Sequence, residues 1–340
     1  MTLKPLYSWV STQHEMRLRF LLLLLVGILI FLAMSYYVGL GTIAETFMRL
    51  NLAHLAISFT LLILYFVSRA FRWRMLLYTL KDPGLALTLT ATGMGYFVNV
   101  IFPVRLGEVA RAVAVSRKSR IGFMPAFATV VVERVFDLTY LLAAIGLLAA
   151  LIGGLLHAEP IRTLVLVSGI GLTAVAITLF MLIRKGGAAL RLLDKTAGVL
   201  PLSIRVRLTK ALNSVVEGIG QSAACIRSVK FHLWTLAITL FNICSLVALF
   251  ASTGLQLPLP AVVAGSAVVA LSAIIPAPPG NVGTFELVWV GVFTVLGLTQ
   301  AEAMSSGIVV HVVQTTYLLL IGGISTMLLG GVREYIQNKE

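Results

Sequence analysis

The stretch FPVRLGEVARA, residues 102–112, places two arginines and a glutamate at the end of an apolar run. Arg105, Glu108 and Arg111 are spaced three apart, so they line one side of a helix that starts after Pro103. A helix N-terminus beside an arginine, which forks two hydrogen bonds, is suited to binding a phosphate group. The alternative is a solvated juxtamembrane helix, whose local ion pairs contribute little to stability. We favour phosphate binding by Arg105 and Arg111, with Glu108 as a charge that balances them or responds to protonation.

A second charged group occurs in VVVERVFDLTYLL, residues 130–142. Glu133 and Asp137 share a helix face, and Arg134 is placed to pair with Asp137. Ionisable side chains in apolar spans are costly, so they usually face a cavity or a partner. We favour a charged site in which Arg134 holds a phosphate and the acids balance charge or relay protons. The alternative is an interhelical salt bridge that fixes packing.

The third group is IIPAPPGNVGTFE, residues 274–286, where prolines and glycines interrupt a helix. Asn281 and Thr284 can supply hydrogen bonds to a substrate, and Glu286 follows inside an apolar run. A carboxylate there is protonated or paired, and an arginine of the first two groups is the expected partner. A plain structural turn is the alternative. The glycines and prolines expected to act as hinges in the broken stretches are Gly93, Gly95, Pro103, Gly107, Pro279, Gly280 and Gly283.

The elements that position these groups are membrane helices. Hydrophobic residues make up 59% of the 340 and charged residues only 11%, whereas soluble domains carry about a quarter charged residues. Apolar runs long enough to cross a bilayer recur, and the alternation of a barrel is missing. We expect an all-α polytopic membrane protein with one membrane domain, 1–340. The six clearest spans are 20–38, 52–68, 136–156, 163–183, 233–252 and 303–329.

The net charge of +13 follows the topology rather than nucleic-acid binding. Five regions hold 23 of the 26 lysines and arginines: 1–19, 69–85, 105–120, 184–230 and 331–340. The positive-inside rule puts both termini and these regions in the cytoplasm, so we expect a multi-pass protein of the bacterial cytoplasmic membrane. Cys225 and Cys244 form no disulfide framework, and the histidines form no metal constellation. We expect no cofactor and no catalytic residues, since no nucleotide or hydrolase motif is present.

Two segments do not fit single crossings. Segment 86–103 lies between two basic regions, which favours a re-entrant segment paired with the apolar piece 122–132. In the second half, the segment that contains the apolar pieces 261–275 and 285–298 must begin and end on the outer side of the membrane. The two pieces therefore form either two short crossings or one re-entrant hairpin. Paired interrupted segments in oppositely oriented halves indicate an inverted repeat with a site near the midplane.

The division of the domain follows from this repeat. The first half covers about 1–185, the second half about 231–335, and a cytosolic amphipathic linker covers about 186–230. The apolar stripe of the linker suits a helix that lies on the inner leaflet, and packing against the transmembrane core explains it equally well.

The three motifs, in this order, resemble the family named for the transmembrane region of lysylphosphatidylglycerol synthase, also called flippase-like membrane proteins, over roughly residues 20–330. In bifunctional members this region moves an aminoacylated phospholipid between leaflets, and a C-terminal cytosolic domain makes that lipid. The resemblance implies a stand-alone member without the synthase domain; such members are linked to varied lipids, including hopanoid-type and polyprenyl-linked ones. PAPPGNVG departs from the glycine-richer turn expected of the family. The residues that match the family motifs are Arg105, Gly107, Glu108, Arg111, Glu133, Arg134, Asp137, Pro279, Gly280, Gly283 and Glu286.

We therefore expect a transbilayer lipid transporter rather than an enzyme. Its substrate would be an anionic or zwitterionic phospholipid or an isoprenoid-type lipid, and its further partners a second copy of the chain or a lipid synthase. Two alternatives remain open. One is an integral membrane enzyme that modifies a lipid headgroup, and the other is a scaffold that docks a partner synthase through 184–230.

Overall fold

The computed structural model describes residues 32–102, 105–151, 220–272 and 278–337, with a few isolated positions besides. The regular elements in these ranges are helices, as expected of an all-α membrane protein. In chain order they are α1 (Leu40–Met48), α2 (Leu52–Tyr78), α3 (Leu85–Ile101), α4 (Gly107–Lys118), α5 (Phe123–Leu151), α6 (Val229–Ser252), α7 (Leu259–Ser272), α8 (Thr284–Val295) and α9 (Gln300–Gln337), with a 3₁₀ turn at Pro279–Asn281 before α8.

Helix length separates membrane-crossing helices from shorter ones. In the described parts of the chain, α2, α6 and the segment Gln300–Gly330 of α9 are long and apolar enough to cross a bilayer. By contrast, α7 and α8 have 14 and 12 residues, so they extend only about 21 and 18 Å. The predicted spans 20–38 and 163–183 lie largely outside the described residues, and so does the linker up to residue 219.

The order of lengths is the same in the two halves: a long helix, two short helices and a second long helix. The packing partners are exchanged between the halves. The first long helices, α2 and α6, pack on each other, whereas α3 packs on α9 and α7 packs on α5. The short α4 and α8 each pack on the helices that precede and follow them in their own half.

Helices α2 and α6 run antiparallel, because residues early in one contact residues late in the other. The side chain of Asn51 accepts from the amides of Ala53 and His54 and so caps α2, while its own backbone N–H donates to the Ser252 carbonyl at 2.9 Å. Seven residues further on, the hydroxyls of Ser58 and Ser245 lie 3.0 Å apart.

Two predicted breaks are not present. Segment 86–103 was expected to turn within itself, but α3 is continuous from Leu85 to Ile101 through Gly93 and Gly95. These glycines serve close packing instead: a Cβ on Gly93 would overlap Ser325 Oγ, and one on Gly95 would lie 3.0 Å from the carbonyl oxygen of Gly107. The prediction of a hinge at Gly93 and Gly95 is therefore wrong.

The prediction of a separate short arm at 122–132 is also wrong. That segment is the first part of the 29-residue helix α5, which begins at Phe123. Its proline, Pro125, stands in the first turn, where a missing N–H breaks no intrahelical hydrogen bond. The charges of the second motif consequently lie about three turns inside a continuous helix.

Candidate functional site

A network of buried ion pairs joins α2 to α5. Arg72 Nη2 lies 2.5 Å from Asp137 Oδ1 and 3.3 Å from Glu133 Oε1, and the side chains of Arg72 and Glu133 are fully buried. Arg69 Nη1 donates to Asp137 Oδ2 at 2.8 Å. Both acids of the second motif thus bind arginines from a helix more than 60 residues earlier in the chain.

Helix α4 extends the network. Arg111 is buried, pairs with Glu133 and lies over the ring of Trp73, 4.5 Å from its centroid. Arg134 Nη2 lies 2.5 Å from Oε1 of Glu108, which is in α4. Arg134 Nη1 lies 3.7 Å from Asp137 Oδ2, as the three-residue spacing predicts. Glu108 also accepts a hydrogen bond from Asn99 at 3.3 Å.

Positive charge exceeds negative charge in this network. Four arginines joined by these ion pairs stand against three carboxylates in the described ranges, an excess of one positive charge. Several buried donors there also have no hydrogen-bond partner among the described residues, including Nε and Nη2 of Arg69 and Nε of Arg134. An uncompensated buried charge is unfavourable, so the arrangement favours binding of an anion. The members of the network are Arg69, Arg72, Arg111, Arg134, Glu108, Glu133 and Asp137.

A cavity of about 110 Å³ lies beside the network, between the two halves. Arg105 and Arg134 line it from the first half, and Asn281, His311 and Gln314 line it from the second half. Since a water molecule takes about 30 Å³ in the liquid, this volume holds several waters or a small charged group.

Two tyrosines at the cavity wall leave a donor for a bound group. The hydroxyls of Tyr65 and Tyr96 lie 2.5 Å apart, and Arg69 Nη1 lies 3.3 Å from the Tyr65 hydroxyl. Two hydroxyls that share one hydrogen bond use one of their two hydrogens, so the other remains for an acceptor. Both rings line the cavity, which is where that acceptor would lie.

The broken stretch of the second half approaches the same cavity. Gly280 and Asn281 both adopt the left-handed conformation, with φ of 63° and 61°, and Gly280 and Asn281 line the cavity. His311 Nε2 lies 2.8 Å from the carbonyl oxygen of Gly280, which only accepts hydrogen bonds, so Nε2 carries a hydrogen. The turn is thereby fastened to α9.

Glu286 pairs with His311 rather than with an arginine, contrary to expectation. His311 Nδ1 lies 2.7 Å from Glu286 Oε1, and Glu286 Oε2 accepts from the Gly283 amide at 2.8 Å. Because Nε2 already donates to Gly280, one proton must lie between Nδ1 and Oε1. Of the arginines expected to pair with Glu286, Arg111 binds Glu133, Arg134 binds Glu108, and Arg105 donates to the Ser272 carbonyl.

Other predicted site residues have different surroundings. Arg105 precedes α4 rather than lying on it; its φ is 55° and its Nη2 donates to the Ser272 carbonyl of α7 at 3.4 Å. The first amide of α4, that of Gly107, donates to the side chain of Asn99 at 2.7 Å, so the helix N-terminus is already engaged. Arg111 lies beneath the cavity wall and Thr284 is half-buried away from it, while Pro103 lies outside the described residues.

Two sets of residues escaped the sequence interpretation. The stretch SRAFRWR, residues 68–74, has the arginines and the tryptophan that are typical of an interfacial anchor, but Arg69, Arg72 and Trp73 are buried. The available signal was the three-residue spacing of Arg69 and Arg72 inside a helix that is otherwise apolar. His311, Gln314 and Thr315 indicated only interhelical hydrogen bonds, yet all three line the cavity from one face of α9.

Comparison with known proteins shows which family the chain belongs to. The chain is 24% identical to glycosyltransferase AglD of Haloferax volcanii over 335 residues, which is 90% of this chain but only 53% of AglD, so it spans about half the length of that relative. It is 25% identical to a UPF0104 membrane protein of Methanocaldococcus jannaschii, over 91% of this chain and 94% of the relative. A UPF0104 membrane protein of Methanothermobacter thermautotrophicus is 24% identical, over 90% and 92%. The sequence pattern of the lysylphosphatidylglycerol synthase TM region matches residues 20–323, and the chain therefore belongs to that family.

Proposed function

We propose that this protein moves a lipid with a phosphate-containing headgroup between the two leaflets of the membrane. The observation that carries the proposal is the position of the cavity: it lies between the two halves and beside a buried network in which four arginines meet three carboxylates. Arg105 and Arg134 line this cavity and would hold the phosphate, while Asn281 would bond the same group from the second half.

The depth of the cavity supports this role. Tyr65 lies thirteen residues after the start of α2, about 20 Å along the helix, and Asn242 lies ten residues before the end of the antiparallel α6, about 15 Å. Both distances fall near the middle of a hydrocarbon core of about 30 Å. Arg72 lies about 30 Å along α2, which is the thickness of the hydrocarbon core, so we expect the basic network at one boundary of the core and, by the positive-inside rule, on the cytoplasmic side.

The exchange of packing partners supports an inverted repeat. The corresponding long helices α2 and α6 are antiparallel, and each half supplies two short helices to the centre. Transporters built in this way bind their substrate near the midplane and expose it alternately to the two sides. Here the cavity is lined by both halves, so a relative movement of the halves would open it toward one leaflet or the other.

The physical gain is the replacement of hydration. A bare phosphate pays a large desolvation cost in hydrocarbon, whereas arginines and hydroxyl donors replace its water while the acyl chains stay in the lipid. No described group suggests nucleotide hydrolysis chemistry, so we expect transport to be downhill or coupled to an ion gradient.

A proteoliposome assay tests the proposal. Vesicles would carry nitrobenzoxadiazole-labelled phosphatidylglycerol, and dithionite added outside would bleach the outer leaflet first. Wild-type protein should make the inner label accessible at least about tenfold faster than in protein-free vesicles, and Arg105→Gln should remove most of this acceleration. Arg74→Gln is the matched control, since Arg74 pairs with Asp82 away from the cavity. Equal rates with and without protein, or an unchanged rate for Arg105→Gln, would contradict the proposal.

A second candidate is a membrane enzyme that acts on a lipid-linked sugar, which the name of AglD favours. That name describes a protein about twice as long as the matched part, so the activity need not lie in the shared region. Mass spectrometry of lipids after incubation with sugar nucleotide donors would separate the two functions. A new glycolipid would favour the enzyme, and unchanged lipids with accelerated exchange would favour transport.

A further inference from the structure

We infer that the cavity selects anionic phosphate headgroups and excludes headgroups that carry an added cationic group, such as an aminoacyl ester. The inference rests on the proposed function and names its substrate class. It departs from the lipid after which the family is named, and the reason is the distribution of acids around the cavity.

Carboxylates are the groups that would receive a cationic headgroup, and the described carboxylates of this region are all engaged. Glu133 binds two arginines, and Asp137 binds three. Glu108 binds Arg134, and Glu286 binds His311 and a backbone amide. None of these four acids lines the cavity in the described structure.

Among the described residues, the ionisable side chains that line the cavity are two arginines, the Tyr65–Tyr96 pair and His311, which shares a proton with Glu286. Arg105 and Arg134 bring positive charge to the wall, and the Tyr65–Tyr96 pair offers a hydroxyl hydrogen. The remaining polar side chains from the second half, including Asn242, Asn281 and Gln314, are neutral and can donate or accept. A cation that enters would meet two arginines and no carboxylate of the described wall, whereas a phosphate would accept hydrogen bonds from the arginines and from the hydroxyl.

The first experiment measures competition in detergent. Full-length protein would bind labelled phosphatidylglycerol, and unlabelled phosphatidic acid, phosphatidylglycerol, phosphatidylcholine, lysylphosphatidylglycerol and inorganic phosphate would each compete. We expect the two anionic lipids to compete at least about tenfold better than lysylphosphatidylglycerol. We also expect inorganic phosphate to compete weakly, since it lacks the acyl chains. Equal or better competition by lysylphosphatidylglycerol would overturn the inference, and competition by inorganic phosphate equal to that of the lipids would overturn the choice of a lipid headgroup.

A charge-adding variant gives a readout that loss of stability cannot imitate. Gln314→Glu changes one neutral group of the cavity wall into a carboxylate of nearly the same shape. It should weaken competition by phosphatidylglycerol and strengthen competition by lysylphosphatidylglycerol, each by about tenfold. Gln256→Glu, on the exposed loop after α6, is the matched control and should leave both unchanged. A parallel loss for both lipids, or no change in their ratio, would contradict selection by charge.

The transport assay separates failure of the inference from failure of the function. If lysylphosphatidylglycerol moves between leaflets as fast as phosphatidylglycerol, the protein is a lipid transporter and the inference is wrong. If no lipid moves while anionic lipids still bind preferentially, the selectivity stands and the transport function is wrong.

Discussion

His311 and Glu286 form a buried pair across α8 and α9, with Nδ1 of the histidine 2.7 Å from Oε1 of the glutamate. This pair fixes a broken turn against a long helix, because the other ring nitrogen bonds the carbonyl oxygen of Gly280 and the other carboxylate oxygen bonds the amide of Gly283. The pair therefore links the turn, α8 and α9, and one proton is shared between Nδ1 and Oε1.

Two substitutions of Glu286 should separate the contribution of its hydrogen bonds to stability from the contribution of its charge. Glu286→Gln keeps an acceptor for the Gly283 amide and a donor for His311, so we expect the free energy of unfolding to fall by no more than about 1 kcal/mol. Glu286→Ala leaves both partners unsatisfied in a buried site and should cost about 2–5 kcal/mol. Thermal unfolding in detergent measures both, with Glu45→Gln on the exposed α1 as a control that should change little. Equal losses for Glu286→Gln and Glu286→Ala would exclude the hydrogen-bonded role.

Removing the charge of Asp137 should destabilise the protein strongly. Asp137→Asn leaves Arg69 and Arg72 with less compensation and raises the positive excess of the network from one to two, so we expect a loss of about 3–5 kcal/mol. The double variant Asp137→Asn with Arg69→Gln removes the added excess and should recover part of this loss. Additive losses in the double variant would show that the two charges are not coupled.

Helix α3 packs on α9 too closely for added carbon atoms. Gly322→Ala would place its Cβ 2.6 Å from the Cβ of Phe97, and we expect a loss of about 1–3 kcal/mol in the free energy of unfolding. The matched control is Gly146→Ala in α5, where a Cβ meets nothing within 4 Å. The control should be neutral or slightly stabilising, because alanine favours the helix by about 1 kcal/mol. A loss at Gly146 as large as that at Gly322 would refute the packing argument.

The loop after α2 provides a pH-dependent contact outside the membrane helices. Arg74 donates to Asp82 at 2.9 and 2.6 Å and the Gly84 amide donates at 2.9 Å, and the hydrogen bonds from Arg74 are the main cause that lowers the pKa of Asp82 to about 2. Because an unfolded Asp has a pKa of about 3.9, this stabilisation is complete above that value and is lost as the pH falls through about 2.

We therefore expect Asp82→Asn to lower the Tm by a small amount that is constant from about pH 5 to about pH 8. The difference from the wild type should shrink below about pH 4. A Tm difference that grows on acidification would have the wrong sign and would contradict the assigned contact.

The helices were predictable because apolar runs and caps are local signals. Helices α2 and α6 begin directly after Asn51 and Ser228, whose side chains cap them, and the pair of Arg134 with Asp137 follows from their spacing. The two short helices before and after the proline-rich turn were also expected, since prolines cannot continue a helix.

The partners of the buried charges were not predictable, because they depend on contacts between distant segments. Arg69 and Arg72 meet acids 61–68 residues later in the chain, and His311 meets Gly280 across a turn whose left-handed residues no spacing rule specifies. The role of Gly93 could not be predicted from the sequence for the same reason. A glycine in a helix permits either a bend or a close contact, and the position of Ser325 decides between them.

The two serines where α2 and α6 cross have a consequence for how the protein can move. Each hydroxyl, of Ser58 and of Ser245, lies 3.0 Å from the backbone carbonyl oxygen of the other. Sliding one helix along the other by a single residue would break both bonds at once, so these bonds fix the register of the two helices at the crossing. Spin labels placed on the two helices next to this crossing should therefore keep a constant separation under conditions that move other helices of the protein.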